Sequence, residues 1–356
     1  MSGQDLEFRE SSRFILGTLK ERSASISIGD IDNDGDMDAL VANGRHWPGQ
    51  NRIYINNGRG VFTISRLLGS QMETSYATEV ADFDNDGDLD VAVGNDMAPN
   101  VLLLNDGKGR FTESGTFGME YAPTRNITVA DLDGDKDVDI LITNRGRENE
   151  ICINDGKGSF SKCIGFGSKD DSTIDVEVAD IDGDGDNDLI LANRDDQQNY
   201  VYLNDGQMNF DEKHPYGTGN DITRSVGVSD MDNDGFLDII TANIGEPNVI
   251  YFGDEHLSFK RKVVFDTTES RSYAIAIGDL NADGYSDIAV GNSRQVNTVF
   301  ISSDNGGKWQ KIPLGDKEFN TYDILISDLN ADGRPDIIES NSDEVNRYFI
   351  NRKTNK

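Results

Sequence analysis

Seven short acidic segments carry the residues whose types and spacing could do chemistry. Each reads Asp-x-Asp-x-Asp-Gly-x-x-Asp with small variations. Positions 1, 3, 5 and 9 are Asp30, Asp32, Asp34 and Asp38 in the first copy, then Asp82, Asp84, Asp86 and Asp90. The third and fourth copies carry Asp131, Asp133, Asp135 and Asp139, then Asp180, Asp182, Asp184 and Asp188. The last three carry Asp230, Asp232, Asp234 and Asp238; Asp279, Asn281, Asp283 and Asp287; and Asp328, Asn330, Asp332 and Asp336. Hard oxygen ligands at alternating positions of a short loop suit calcium, so up to seven structural ions are expected. Position 7 is Asp36, Asp88, Asp137 and Asp186, then Phe236, Tyr285 and Arg334. No side-chain ligand could become Phe, so this position is expected to offer its backbone carbonyl. Position 6 is glycine except at Lys136, which predicts a strained or weaker third site. An EF-hand is excluded, because its loop ends in Glu at position 12 between helices. Here Asp ends the motif, and β-type runs such as Asp188-Leu189-Ile190-Leu191 follow. The competing reading, seven solvated Asp-Gly turns, needs no such register. Repetition points to a structural ion rather than a catalytic one.

The leading aspartates are spaced by 52, 49, 49, 50, 49 and 49 residues. A period near fifty with four strand signals per copy predicts an all-β fold, a seven-bladed β-propeller of four-stranded antiparallel blades. The second copy shows the unit. Thr78-Glu79-Val80-Ala81 alternates as an inner strand, the acidic loop follows, and Val91-Ala92-Val93 and Val101-Leu102-Leu103-Leu104 are the next strands. The Asn105–Gly109 turn then leads to Phe111 and a fourth strand. The blades are expected at about 24–66, 76–117, 125–166, 174–213, 224–263, 273–314 and 322–351. The last copy stops before a fourth strand. Residues 5–10 are expected to supply it, with Leu6-Glu7-Phe8 matched to Arg110-Phe111-Thr112. An open solenoid would leave that segment unexplained and would expose strand edges.

The acidic loops share one face with the turns between strands 3 and 4. The opposite face, built from the 2–3 and 4–1 connections, carries the variation between copies. Six residues before each leading Asp lies the mouth of the inner strand. That series is Ala24, Tyr76, Arg125, Ile174, Arg224, Tyr273 and Tyr322. The 2–3 loops add Arg45, His46, Trp47, Arg145, Arg147, Arg194 and Arg294, and His214 is placed in a 4–1 connection on the same face. For any single arginine the alternative is an ion pair with a nearby Asp, and for a tyrosine it is plugging the channel. His256 falls in a 3–4 turn on the loop face. Glu79 and Glu177 on inner strands are acids not committed to metal. Asn43 and its counterparts, each thirteen residues after a leading Asp, are expected to cap their own loops.

The loops typified by Asp84-Asn85-Asp86-Gly87-Asp88-Leu89-Asp90, with turns like Asn105-Asp106-Gly107-Lys108-Gly109-Arg110-Phe111, resemble the FG-GAP/VCBS repeats of integrin α-subunit propellers and of many secreted bacterial proteins. The resemblance covers nearly the whole chain. It implies calcium and a secreted or cell-surface location, and it leaves function open among adhesion, lectin and polysaccharide-lyase roles. The residues themselves favour binding. Aromatic side chains stack on sugar rings and guanidinium forks grip carboxylate or sulfate, so an acidic glycan or an extracellular protein is the expected partner. The alternative is β-elimination on a uronate. Arg125 or Arg224 would neutralise the carboxylate, and Tyr76, Tyr273, Tyr322, His46 or His214 would move protons. A structural spacer is the plainest reading.

Composition sets the outer bounds. A net charge of −32 repels phosphate backbones and anionic lipid, so nucleic acid is excluded as a bulk partner. No apolar run is long enough for a membrane-spanning helix. No leader pattern opens the chain, and Met1-Ser2-Gly3 reads as an artificial start from which a leader has been removed. Cys152 and Cys163 flank a turn on neighbouring strands; a disulfide between them is left open by doubtful register. Oligomeric state is also open, with a monomer expected.

Overall fold

The alternation of apolar and polar residues within each copy builds a short antiparallel sheet. The computed structural model describes residues 6–267, 270–303 and 305–353, so the readings of Met1-Ser2-Gly3 and residue 5 lie outside it. The second blade comprises Ser75–Ala81, Asp90–Asn95, Asn100–Asn105 and Phe111–Phe117, paired in that order. The other blades repeat it. Their second strands, such as Asp139–Asn144 and Asp188–Asn193, are buried along their whole length. Apolar side chains from adjacent blades interleave between the sheets. Phe83, Leu102 and Phe117 of the second blade meet Ile140, Ile142 and Phe160 of the third. Each full burial of this kind is worth about 1.5–3 kcal/mol.

The ring closes as expected. Each inner strand packs against the next, and the seventh, Phe319–Ser327, packs against Ile15–Gly29 of the first blade. The last blade takes its fourth strand from Leu6–Arg9, paired antiparallel with Asp336–Lys353. Phe8 sits opposite Asn351 as Phe111 sits opposite Asn105, so the register is one residue removed from the expected match. Ile15 and Leu16 rejoin the same edge opposite Arg347 and Asn346. Phe14 O accepts from Tyr348 N at 3.1 Å, so residues 10–13 form an insertion within that outer strand.

Two polar girdles tie the blades together, and sequence reading saw half of one. The expected caps are present: Asn95 donates from Nδ2 to Pro99 O at 2.8 Å, and Asn243 to Pro247 O at 2.7 Å. A second asparagine, missed in the sequence, accepts from the backbone N–H of the first and donates to a hydroxyl of the next blade. Asn297 reaches Thr321 Oγ1 at 2.7 Å, and Asn346 reaches Ser23 Oγ at 3.0 Å across the closure. On the other face, Asn105 Nδ2 donates to Ile31 O of the preceding blade at 2.8 Å, and Asn351 Nδ2 to Leu280 O at 2.7 Å. Buried polar groups need such partners, and here the partners join neighbours. The available signal was a Ser or Thr seven residues before every leading Asp and an Asn 18 to 21 residues after it.

Cys152 and Cys163 lie directly opposite each other on adjacent strands and form a disulfide with an S–S distance of 2.01 Å. Register, the point left open in the sequence, is what brings them together.

Candidate functional site

The acidic loops sit on one face, beside the 3–4 turns. Their hydrogen bonds show why the spacing repeats. The position 1 carboxylate accepts from loop N–H groups: Asp30 Oδ1 from Asp34 N at 3.0 Å and Oδ2 from Gly35 N at 2.9 Å. The position 5 carboxylate accepts from the position 7 N–H in all seven blades, including Phe236, Tyr285 and Arg334. The position 7 N–H is thus used in every copy whatever the side chain, and where that side chain is Asp it can also act, as Asp88 accepts from Asn33 at 2.7 Å and Asp137 from Asn85 at 2.8 Å. The position 9 aspartate has a second role that the sequence did not suggest. Asp90 accepts from Phe83 N at 3.0 Å and from Asn105 N at 2.8 Å, stapling the loop to the far end of strand 3. Lys136 holds φ at 79°, where its six counterparts are glycine, so the strain expected at the third loop is present.

Several of these clusters could hold a metal ion. In five blades three carboxylates bring ligand oxygens within 4.8 Å of one another: Asp30, Asp32 and Asp38; Asp82, Asp84 and Asp86; Asp131, Asp133 and Asp139; Asp180, Asp182 and Asp188; and Asp230, Asp232 and Asp234. Buried oxygens without hydrogen-bond partners, Asp32 Oδ1, Asp38 Oδ2 and Asp232 Oδ1, lie among them. Burial, with Asp34 next in weight, raises the Asp32 carboxyl, and burial pushes Asp38 up to about 7. An oxygen-seeking cation fits this donor set. The sixth and seventh blades form no such group among the described residues. Asn281 Nδ2 bonds Asp283 at 3.0 Å, Asn330 Nδ2 bonds Asp336 at 3.0 Å, and Arg334 holds Asp332 at 2.5 Å.

The opposite face carries a pocket on the propeller axis. Arg45, His46, Tyr76, Arg125, Arg145, Ile174, Arg194, Arg224, Tyr273 and Tyr322 line a cavity of about 190 Å³. Most of the residues singled out from the sequence therefore converge. Trp47, Arg147 and Arg294 are exposed and lie outside it; Trp47, 65% exposed, has Arg22 over its ring at 5.8 Å. His214 is a correction. It lies within the strand Glu212–Asp221, whose extra length delays the 4–1 connection. It bonds Glu212 at 3.0 Å and faces a groove with Asp182, Phe236 and His256 on the acidic-loop side.

Most of the pocket arginines are neutralised, as the plainer reading of each allowed. Arg125 Nη1 meets Asp96 Oδ1 at 2.7 Å, and its guanidinium lies over the Tyr76 ring at 4.5 Å. Arg145 and Arg194 share Asp195, and Arg45 approaches Asp343 at 3.9 Å while stacking on Tyr322 at 4.1 Å. Arg224 has no hydrogen-bond or ion-pair partner among the described residues; Tyr273 flanks it at 5.7 Å. Asp175 and Asp323 act on it through space while their hydrogen bonds go elsewhere: Asp323 accepts from Ile26 N and Ile324 N, and Asp175 from Val176 N, Val226 N and Asn126. His46 Nε2 lies 2.9 Å from Tyr76 OH and its Nδ1 2.8 Å from Asp96 Oδ2, so Asp96 orients both His46 and Arg125. Burial raises the Tyr76 hydroxyl, with Arg125 opposing.

Glu79 and Glu177 line the channel deep in the protein. They keep some surface there, yet the surrounding protein desolvates them. Burial, with Asp175 adding, pushes the Glu177 carboxyl up to about 8, and Glu79 is raised by burial and by Asp323.

Comparison with known proteins bears on fold. The FG-GAP-like repeat matches residues 30–93, 82–142, 131–191, 180–241, 230–290 and 279–339, each window opening on a leading Asp. No curated protein sequence matches. Among solved structures, BBS1N in complex with ARL6DN has a TM-score of 0.67 at 10% identity, covering 99% of this chain and 98% of that one. The WD40 propeller domain of Doa1 gives 0.63 at 15% identity, with 97% of each chain covered. The WD40 domain of Toxoplasma gondii coronin gives 0.65 at 10% identity, covering 99% of this chain and 88% of that one. Likeness at such identity speaks for the propeller fold alone.

Proposed function

The chain belongs to the FG-GAP-like repeat family, and on that premise we propose that it is an extracellular, calcium-stabilised propeller whose axial pocket binds an acidic glycan. The observation that carries this reading is the pocket itself. Five arginines and three tyrosines converge there in a protein of net charge −32. Four of the five guanidinium groups meet Asp96, Asp195 or Asp343 directly, and Arg224 feels Asp175 and Asp323 through space without a hydrogen bond to either. A ring of guanidinium groups offers an anion directed donors locally while the acidic body repels polyanions in bulk. Hydroxyl and guanidinium donors around the wall match a ligand rich in oxygen acceptors. Calcium is supported by the all-oxygen donor set of the loops. An extracellular setting is supported by the Cys152–Cys163 disulfide, since such bonds persist in oxidising compartments.

Titration calorimetry in calcium buffer against polygalacturonate, alginate and heparin, with neutral dextran as control, tests the reading. Binding to an acidic polymer and none to dextran is expected. Silence toward all three acidic polymers would contradict it.

A second reading is favoured by one observation, the Tyr76–His46–Asp96 chain of hydrogen bonds beside Arg224. In β-elimination Arg224 would neutralise a uronate carboxylate; with the Tyr76 hydroxyl turned from His46 Nε2 to the leaving oxygen, His46, held through Nδ1 by Asp96, would take the C5 proton on Nε2. Tyr76, kept protonated by burial, would give its proton to the leaving oxygen. Absorbance near 235 nm from unsaturated product decides: a rise supports the lyase, and binding without a rise leaves the binding module.

A further inference from the structure

We infer that the pocket takes the end of an acidic glycan chain, inserted along the propeller axis, with Arg224 fixing the carboxylate of the terminal sugar. The inference rests on the acidic-glycan reading above and adds the mode of recognition and the anchoring residue.

The first ground is the wall. All seven blades contribute to the pocket, from Arg45 and His46 of the first to Tyr322 of the seventh. Backbone contacts among the described residues stitch the rim at six of the seven joints between neighbours. Arg45 N donates to Ser75 O at 3.0 Å, Met97 N to Ala122 O at 2.8 Å, Gly146 N to Asp171 O at 2.8 Å and Gly245 N to Ser270 O at 2.8 Å. Ser293 pairs with Asn320 between the sixth and seventh blades, and Arg22 with Ser342 between the seventh and first. A groove that holds the middle of a polymer needs two open ends, whereas a well ringed by seven blades has one mouth.

The second ground is size. The cavity of about 190 Å³ falls below the roughly 300–1,000 Å³ of pockets for drug-sized ligands. It has room for a sugar-sized unit and not for an extended oligosaccharide.

The third ground is the charge left over. Arg45, Arg125, Arg145 and Arg194 each meet an aspartate, and among the described residues Arg224 alone of the five has no hydrogen-bonded acceptor, Asp175 acting on it only through space. Arg224 is half-buried at the pocket wall with its fork uncommitted, and a carboxylate placed against it would satisfy two donors at once. Ile174 is the one aliphatic residue of the wall, so a peptide terminus would find little apolar surface for its side chains.

The test uses calorimetry on the intact, calcium-loaded protein with di-, tetra- and octa-oligomers of galacturonate and of guluronate. End-on binding predicts affinities per chain that agree within about threefold across lengths, with one protein bound per chain. Esterifying the carboxylates of the bound oligomer should weaken binding by about a hundredfold, the loss of a buried charge-assisted pair. Arg224→Met should do the same, and Arg224→Lys should recover part of it. Ester sensitivity is read on the unaltered protein, so it stands even if the variants fail to fold. Affinity that climbs with length, or several proteins bound along one octamer, would overturn the end-on inference and leave the acidic-glycan reading intact. Binding indifferent to the esters and to Arg224→Met would remove Arg224 as the anchor. Silence toward every oligomer, or binding only to peptides with a free C-terminal carboxylate, would overturn both.

Discussion

Removing divalent cations should bring this protein to the edge of unfolding. Five loops bring three carboxylates within 4.8 Å of one another. An ion that binds only the folded state at a free concentration a hundred times its dissociation constant stabilises by about 2.7 kcal/mol. Five such sites together supply about 13 kcal/mol, as large as the whole stability of about 5–15 kcal/mol expected of a folded domain. Without cations the loops would retain crowded carboxylates in a chain of net charge −32. The assay is differential scanning calorimetry of loaded and EGTA-treated protein, with the bound metal counted first by atomic emission. Calcium titration back into the stripped protein should show five tighter sites and weaker binding at the sixth and seventh, where Asn281 and Asn330 replace an acid. A metal-free protein that melts within a few degrees of the loaded one would refute the reasoning.

Other perturbations follow from single residues. Lys136→Gly should stabilise the protein by about 1 kcal/mol, because Lys136 sits at φ 79° where glycine carries little strain; urea unfolding measures it. Asn346→Ala should cost about 2–4 kcal/mol, since it removes the acceptor for Asn341 N and the donor to Ser23 Oγ at the closure. Its effect should appear as an earlier melt with the pocket ligand still bound at low temperature. Glu177 has a folded pKa of about 8, above its ordinary value. Its contribution is fully present below the unfolded pKa and is lost as pH rises through about 8. Glu177→Gln should therefore gain roughly 2–4 kcal/mol over the native protein between pH 5 and pH 9, read as melting temperature against pH.

The fold was legible because its repeat is periodic in chemistry as well as length. Aspartates at fixed offsets mark every inner hairpin, and the missing strand after Asn351 pointed to the N-terminal segment. The axial pocket was legible for a related reason. Inner strands begin at a constant distance from the leading Asp, so Tyr76, Arg125, Arg224, Tyr273 and Tyr322 had to meet at one mouth. What the sequence hid was pairing. Asp96 gives no sign in sequence that it serves both Arg125 and His46 across three blades, nor does Asp195 for Arg145 and Arg194. Apart from Arg194, which is adjacent to Asp195, these contacts join residues 29 to 50 positions apart through loop conformations that no periodicity encodes. His214 was misplaced because strand length varies in the fourth blade. Position 9 was assigned to metal alone because a buried carboxylate that staples backbone and one that binds an ion look alike in sequence.

Co-crystallisation of the calcium-loaded protein with digalacturonate tests the central claim most directly. The account predicts one sugar enclosed by Tyr76, Tyr273 and Tyr322, its carboxylate within hydrogen-bond distance of Arg224 and the second sugar emerging from the mouth. A ligand bound elsewhere on the ring, or lying across the pocket with its carboxylates away from Arg224, would contradict it.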